Sequence, residues 1–168
     1  MTNKKLLKTA VFIDASNLEL SAKSKGWRVD YKKLLLWLEG QYNLVYLGFF
    51  TARFDTKEHD GFLTFLKKTG YSLVTKPLKH LLDKDHHHLR KANFDVEIAV
   101  ESIKRSENYK TFVLFSGDSD FDYLIKELNS QGKHTIVISM KYHISRELIE
   151  NADQYIDLSK IKKEIVRN

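Results

Sequence analysis

Two periodicities take turns along this chain, and their alternation restricts the fold more than any other feature. Short apolar runs rich in β-branched and aromatic residues read as strands: Thr9–Ile13, Leu44–Phe50, Ser72–Thr75, Thr111–Phe115, Thr135–Ser139 and Tyr155–Leu158. Between them lie segments with apolar residues at helical spacing. Asp30 is an N-cap for a helix carrying Leu34, Leu35, Trp37 and Leu38 on one broad face. Thr56 opens another, with Phe62, Phe65 and Leu66 inward and Gly70 as its stop. Phe94–Arg105, Ser119–Ser130 and Ser145–Ala152 complete the set. Strands separated by helices imply βαβ crossovers, hence a three-layer α/β/α architecture around a mainly parallel sheet of about five to six strands. A length of 168 residues fits a single domain spanning 1–168, with 1–8 and 160–168 as flexible or peripheral ends.

The chain has no Cys, which excludes disulfides, thiolate metal sites and a cysteine nucleophile. Its longest apolar runs fall far short of a membrane span, and the apolar stretch after the basic start is interrupted by Asp14, so no signal peptide is expected. A cytoplasmic protein is the expectation. The net charge of +6 favours a polyanionic partner without naming any chemistry.

In a parallel α/β sheet, ligands gather outside the carboxyl ends of the strands, where the strand order reverses. The first strand runs directly into Asp14-Ala15-Ser16-Asn17, and the fourth into Ser116-Gly117-Asp118-Ser119-Asp120-Phe121-Asp122. The helix before the fourth strand begins Asn93-Phe94-Asp95, so its first turn belongs to the same edge. Carboxylates from three separate stretches then meet, and like charges gathered this way need a neutralising cation. Hard divalent ions bind carboxylate oxygens, and Mg²⁺ typically takes one or two of them plus substrate phosphates. A metal-dependent phosphodiesterase is the chemical reading. Asp is also a favoured helix cap, and Ser119 with Asp122 resembles a capping box, so a purely structural role stands open beside it for Asp120 and Asp122.

These blocks resemble a known signature. Asp14-Ala15-Ser16-Asn17, Lys91-Ala92-Asn93-Phe94-Asp95-Val96 and Ser116-Gly117-Asp118-Ser119-Asp120-Phe121 are similar, in order and spacing, to the motifs of the NYN domain family (its LabA-like branch) of the PIN-like nuclease superfamily. Gln131-Gly132-Lys133 and Asn151 to Ile156 resemble its closing segments, so the likeness runs from Val11 to Leu158. The resemblance implies a Rossmann-like PIN fold and a Mg²⁺- or Mn²⁺-dependent ribonuclease site holding one ion, or two once phosphate arrives. It makes Asp14, Asp95 and Asp118 metal ligands, with Asp120 completing or flanking the cluster and Asn17 orienting Asp14 or a scissile phosphate. Ser116, Glu101 and Asp122 are secondary positions. Two departures stand out: Ala92 replaces the usual Gly, and Glu101 replaces an Asp. Six helical residues separate Asp95 from Glu101, roughly 9 Å of rise and about 120° of rotation, so the two do not share an ion. Glu101 is expected behind the ligands or salt-bridged to a neighbour such as Lys104.

Residues 76–91 are strongly basic and lead straight into Asp95. Lys79, Lys84, Arg90 and above all Lys91 are the candidate contacts to RNA phosphates. His86, His87 and His88 are adjacent, and three adjacent side chains do not converge on one ion, so an exposed polar loop is the expectation there rather than zinc. The lysines of both termini read as solvated tails. The leading function is a metal-dependent ribonuclease, an endoribonuclease by preference. Its rival is an RNA-binding or regulatory NYN module that cuts poorly or not at all. A dinucleotide is excluded, because no Gly-rich turn follows the first strand, and an Asp-nucleophile phosphatase lacks its second Asp, where Ser16 stands. No membrane partner is expected, and nothing points to a homo-oligomer.

Overall fold

The computed structural model describes residues 7–82 and 88–168, with the backbone alone described for 79–82 and 88–91. Six strands form one sheet: β1 (Lys8–Asp14), β2 (Asn43–Arg53), β3 (Ser72–Pro77), β6 (Thr111–Phe115), β7 (His134–Ser139) and β8 (Gln154–Asp157). Their order is β3-β2-β1-β6-β7-β8, and every pairing is parallel. The chain builds outward from β1 in one direction, then returns to pair β6 on its other side. The order therefore reverses between β1 and β6, the two strands that end in the acidic motifs.

Side chains of each strand alternate between two cores. Val11, Ile13, Val113 and Phe115 face one layer, built from α1 (Ala15–Ser24), α2 (Tyr31–Gln41) and α3 (Lys57–Thr69). Phe12, Phe112, Leu114 and Val137 face the other, with α4 (Asp95–Lys104), α5 (Asp122–Ser130) and α6 (Arg146–Asn151). The Asp30 and Thr56 side chains cap α2 and α3 as their positions predict, and Gly70 ends α3 at φ 122°, a conformation that glycine tolerates best. No helix among the described residues is long and apolar enough to cross a membrane.

Three expectations need correction. The stretch after Asp14 is a helix, α1, because Asp14 caps it and Leu18 and Ala22 fall on one buried face. Of the histidine run expected as an exposed loop, His86 and His87 lie outside the described residues, while His88 opens β5 (His88–Lys91), which pairs antiparallel with β4 (Lys79–Leu82) as a separate two-stranded sheet. Residues 160–168 are no loose tail. A 3₁₀ turn over Leu158–Ile161 and α7 (Lys162–Ile165) bury Leu158, Ile161 and Ile165, at helical spacing among exposed lysines, in the α1–α2 core. Lys33 Nζ donates to the Val166 carbonyl at 2.9 Å, fastening that end to α2.

Candidate metal centre

Asp14 closes β1 at the reversal point and serves as the N-cap of α1. Its Oδ1 accepts from the Asn17 N–H at 3.4 Å and the Ser16 hydroxyl at 3.1 Å, while Oδ2 accepts from Ser116 Oγ at 3.2 Å. Ser116 is buried just beyond β6, and its Oγ also accepts the Asp118 N–H at 3.3 Å. The two strand ends are thus joined through one hydroxyl. A second link runs from the Gly117 N–H to Asn17 Oδ1 at 3.1 Å. Asn17 is expected to orient Asp14 or a phosphate; its N–H bonds Asp14, and its side chain also holds the backbone that carries Asp118.

Asp118 caps the 3₁₀ turn Ser119–Phe121 by accepting the Asp120 N–H at 3.0 Å. This displaces the expected Ser119–Asp122 capping box, because the turn closes on Asp118 before α5 begins. Asp95 opens α4, and Asn93 Oδ1 accepts its N–H at 2.8 Å. Asp95, Asp118 and Asp120 each present a carboxylate oxygen, all within 4.8 Å of one another. Asp14 lies outside this closest group but lines the same cavity of about 370 Å³ as Asp95 and Asp118. The expected trio is therefore in one cleft, while the tightest trio exchanges Asp14 for Asp120.

Burial raises the Asp14 carboxyl above the usual carboxylate range; hydrogen bonds from Asn17, Ser16 and Ser116 oppose this, and the charge of Asp118 adds to it. Asp95 is raised too, first by burial and then, against its bond with Asn93, by Asp118, Asp120 and Asp14. Among the described residues, no Lys, Arg or His lies within ion-pairing distance of any of these four acids. A set of hard oxygen donors that repel one another, with no protein cation between them, fits Mg²⁺ or Mn²⁺ and disfavours soft metals.

The secondary positions separate cleanly. Glu101 bonds Lys104 at 3.3 Å and Arg105 at 3.1 Å, so its charge is spent along α4, as its place two turns beyond Asp95 implied. Asp122 pairs with Lys126 at 2.6 Å and accepts from Asn151 Nδ2 at 2.8 Å, and these bonds hold its carboxyl below the usual range. Asp122 pins α5 to the end of α6 and stays out of the cluster. Lys79 and Lys91 are cross-strand partners in the β4–β5 ladder, as are His80 and Arg90, whereas Lys84 lies outside the described residues. Leu78 and Ala92, which flank that ladder, both line the cleft, so the basic hairpin is rooted at its rim.

Sequence reading missed Glu19, which also lines the cleft and accepts from the Tyr31 hydroxyl at 2.8 Å. Burial raises its carboxyl above the usual range. The signal was available: once Asp14 is read as an N-cap, Ser16 and Glu19 fall on one helical face.

A parallel α/β/α sandwich with an acidic cleft at its strand reversal defines the class. A family model described as "NYN domain" matches residues 8–159. The chain is 34% identical over 157 residues to the low amplitude and bright protein LabA of Synechococcus elongatus, a match covering 91% of this chain and 84% of that one. The chain belongs to the NYN domain family. A crystal structure of a protein of unknown function from Vibrio parahaemolyticus shares the fold, with a TM-score of 0.82 over 99% of both chains at 20% identity.

Proposed function

We propose that this NYN domain is a divalent-metal-dependent ribonuclease, cutting within RNA, whose cleft is lined by Asp14, Asp95 and Asp118, with Asp120 clustered against the last two. The observation that carries the reading is the convergence of Asp95, Asp118 and Asp120, contributed by a helix start and a strand end, within 4.8 Å. Those three would supply the oxygen ligands, and Asp14 lines the same cleft. A bound divalent cation supplies Lewis acidity toward a phosphoryl oxygen and a more acidic water. The chain's own part is positional: Ser116 and Asn17 hold the two strand ends in register, and Asp118 is fixed by its cap. The hairpin carrying Lys79, Arg90 and Lys91 provides positive charge where a phosphate backbone would enter.

A metal-titrated assay on a labelled single-stranded RNA tests this. Cleavage should require Mg²⁺ or Mn²⁺ and be lost in Asp118→Asn and Asp95→Asn variants that keep their fold. One observation favours the rival, an RNA-binding module: both oxygens of Asp14 already accept protein hydrogen bonds. Salt-sensitive RNA binding with no metal-dependent cutting would establish that rival and remove the catalytic reading.

A further inference from the structure

A second concavity begins where the acidic cluster ends. Asp95 and Asp120, two of the three clustered acids, form one end of a groove of about 430 Å³ between α4 and α5. Its walls are Val100 and Ile103 on α4 and Tyr123 and Leu124 on α5. Of these walls, Leu124 alone belongs to the core. The buried face of α4 is formed by Ile98 and Ser102, and that of α5 by Leu124, Ile125 and Leu128. Val96, Val100 and Ile103 stand exposed at helical spacing, and Tyr123 is 81% exposed. A contiguous exposed apolar strip on a helix marks a surface that meets something.

We propose that this groove receives a nucleobase of single-stranded RNA, the one flanking a phosphate held at the acidic cluster, with Tyr123 as its stacking surface. The inference rests on the RNA-directed reading of the cluster. Continuity argues for it: a phosphodiester seated at Asp95 and Asp120 places one neighbouring nucleoside at the mouth of the groove. Charge argues for a base rather than backbone. Beyond the two acids that the proposed cation would neutralise, the groove's charges are Glu127 and Lys104, which offset one another. It therefore offers a phosphate no net attraction, while its apolar walls suit a neutral planar ring. An aromatic face gives sequence-tolerant stacking, because every base offers a π surface. The path of the strand follows: from the basic hairpin, through the cleft, across the acids and into the groove.

The test is equilibrium binding of a short labelled oligoribonucleotide in Ca²⁺, repeated with a single abasic ribose walked along it, alongside cleavage in Mn²⁺. Tyr123→Ala should bind the intact RNA roughly 5- to 150-fold more weakly. Wild-type protein should show a similar loss at one abasic position, and Tyr123→Ala no additional loss at that position. Tyr123→Trp should retain affinity, and Val100→Asp should lose it. Binding and cutting unchanged in both Tyr123→Ala and Val100→Asp overturn the groove and leave the ribonuclease reading standing. The same unchanged binding with a dimer-to-monomer shift in sedimentation assigns the strip to a second copy of this chain instead. Abasic-coupled loss at Tyr123 in a protein that cuts nothing supports the groove and overturns hydrolysis. Absence of any RNA binding by the wild type overturns both.

Discussion

The amide oxygen of Asn17 accepts the backbone N–H of Gly117 at 3.1 Å, joining the first turn of α1 to the loop after β6 across 100 residues of sequence. This bond lies one residue from Asp118 and three from Asp14, so it sets the spacing of the two strand-end acids. Asn17→Ala leaves the Gly117 donor unpaired, at a cost of about 1–3 kcal/mol. If Asn17 supports the proposed ligands without being one, the variant should bind Mn²⁺ about 10- to 100-fold more weakly. Calorimetric titration against the wild type decides it, and equal affinities would refute the supporting role.

Gly117 is required by its neighbour. A Cβ built there would lie 1.9 Å from the His143 carbonyl oxygen, a backbone atom with little freedom to retreat. The Gly117 carbonyl in turn accepts the Ser145 N–H at 2.9 Å, so the loop after β7 is clamped on both sides. Gly117→Ala should lower stability by about 1–3 kcal/mol or more and displace Asp118, reducing cleavage. Gly61 gives the contrasting control. It lies inside α3 with nothing within 4 Å of a built Cβ. Gly61→Ala should raise stability by about 0.5–1 kcal/mol. Chemical denaturation of both variants checks the pair; a melting order opposite to this would show that helix propensity and loop packing are not the governing terms.

Why these acids and not others was legible in part. Hydrophobic periodicity places β1 and β6 as buried strands, and a parallel sheet brings Asp14 and Asp118 to one edge whatever their distance in sequence. The exchange of Asp14 for Asp120 in the closest cluster was not legible. It depends on a 3₁₀ turn that brings Asp118 and Asp120 together, while Ser16 and Ser116 draw the Asp14 oxygens toward the protein. α1 was hidden by Ser16, Asn17, Ser21 and Ser24, residues that as readily signal a loop. In the same way, lysines masked the Leu158, Ile161 and Ile165 face. The β4–β5 ladder had no sequence signal stronger than its charge, since a run of histidines carries no periodicity of its own.

Mutual repulsion in the cluster has a measurable sign. Asp118→Asn removes one negative charge yet keeps an oxygen to accept the Asp120 N–H, because Asn caps as well as Asp. Without divalent ions the variant should melt at or above the wild-type temperature. With Mn²⁺ the order should reverse, since an ion that binds only the folded state stabilises it by about 2.7 kcal/mol at a hundredfold excess over its dissociation constant. Thermal melts with and without Mn²⁺ read both effects. An equal Mn²⁺-induced shift in wild type and variant would place the ion elsewhere.

Alkaline pH should unfold the protein through its interior phenols. Burial raises Tyr31, Tyr71 and Tyr109 above the ordinary tyrosine range, with the Glu19 charge adding to Tyr31 and that of Asp30 to Tyr71. Burial also pushes Tyr155 up to about 12, assisted by Asp157. All four hydroxyls are committed donors: Tyr31 to the Glu19 carboxylate at 2.8 Å, Tyr71 to the Tyr31 carbonyl at 2.7 Å, Tyr109 to the Ser102 carbonyl at 2.9 Å and Tyr155 to the Ser139 carbonyl at 3.2 Å. An ionised phenol cannot donate, so the folded state favours the neutral form. With folded values above the unfolded one of about 10, the contribution is fully present below pH ~10 and is lost as pH rises through 12. Phenolate absorbance followed together with circular dichroism should show part of the titration arriving only as helical signal disappears. If all eight tyrosines ionised near pH ~10 with the dichroism unchanged, the buried hydroxyls would not be holding the two cores together.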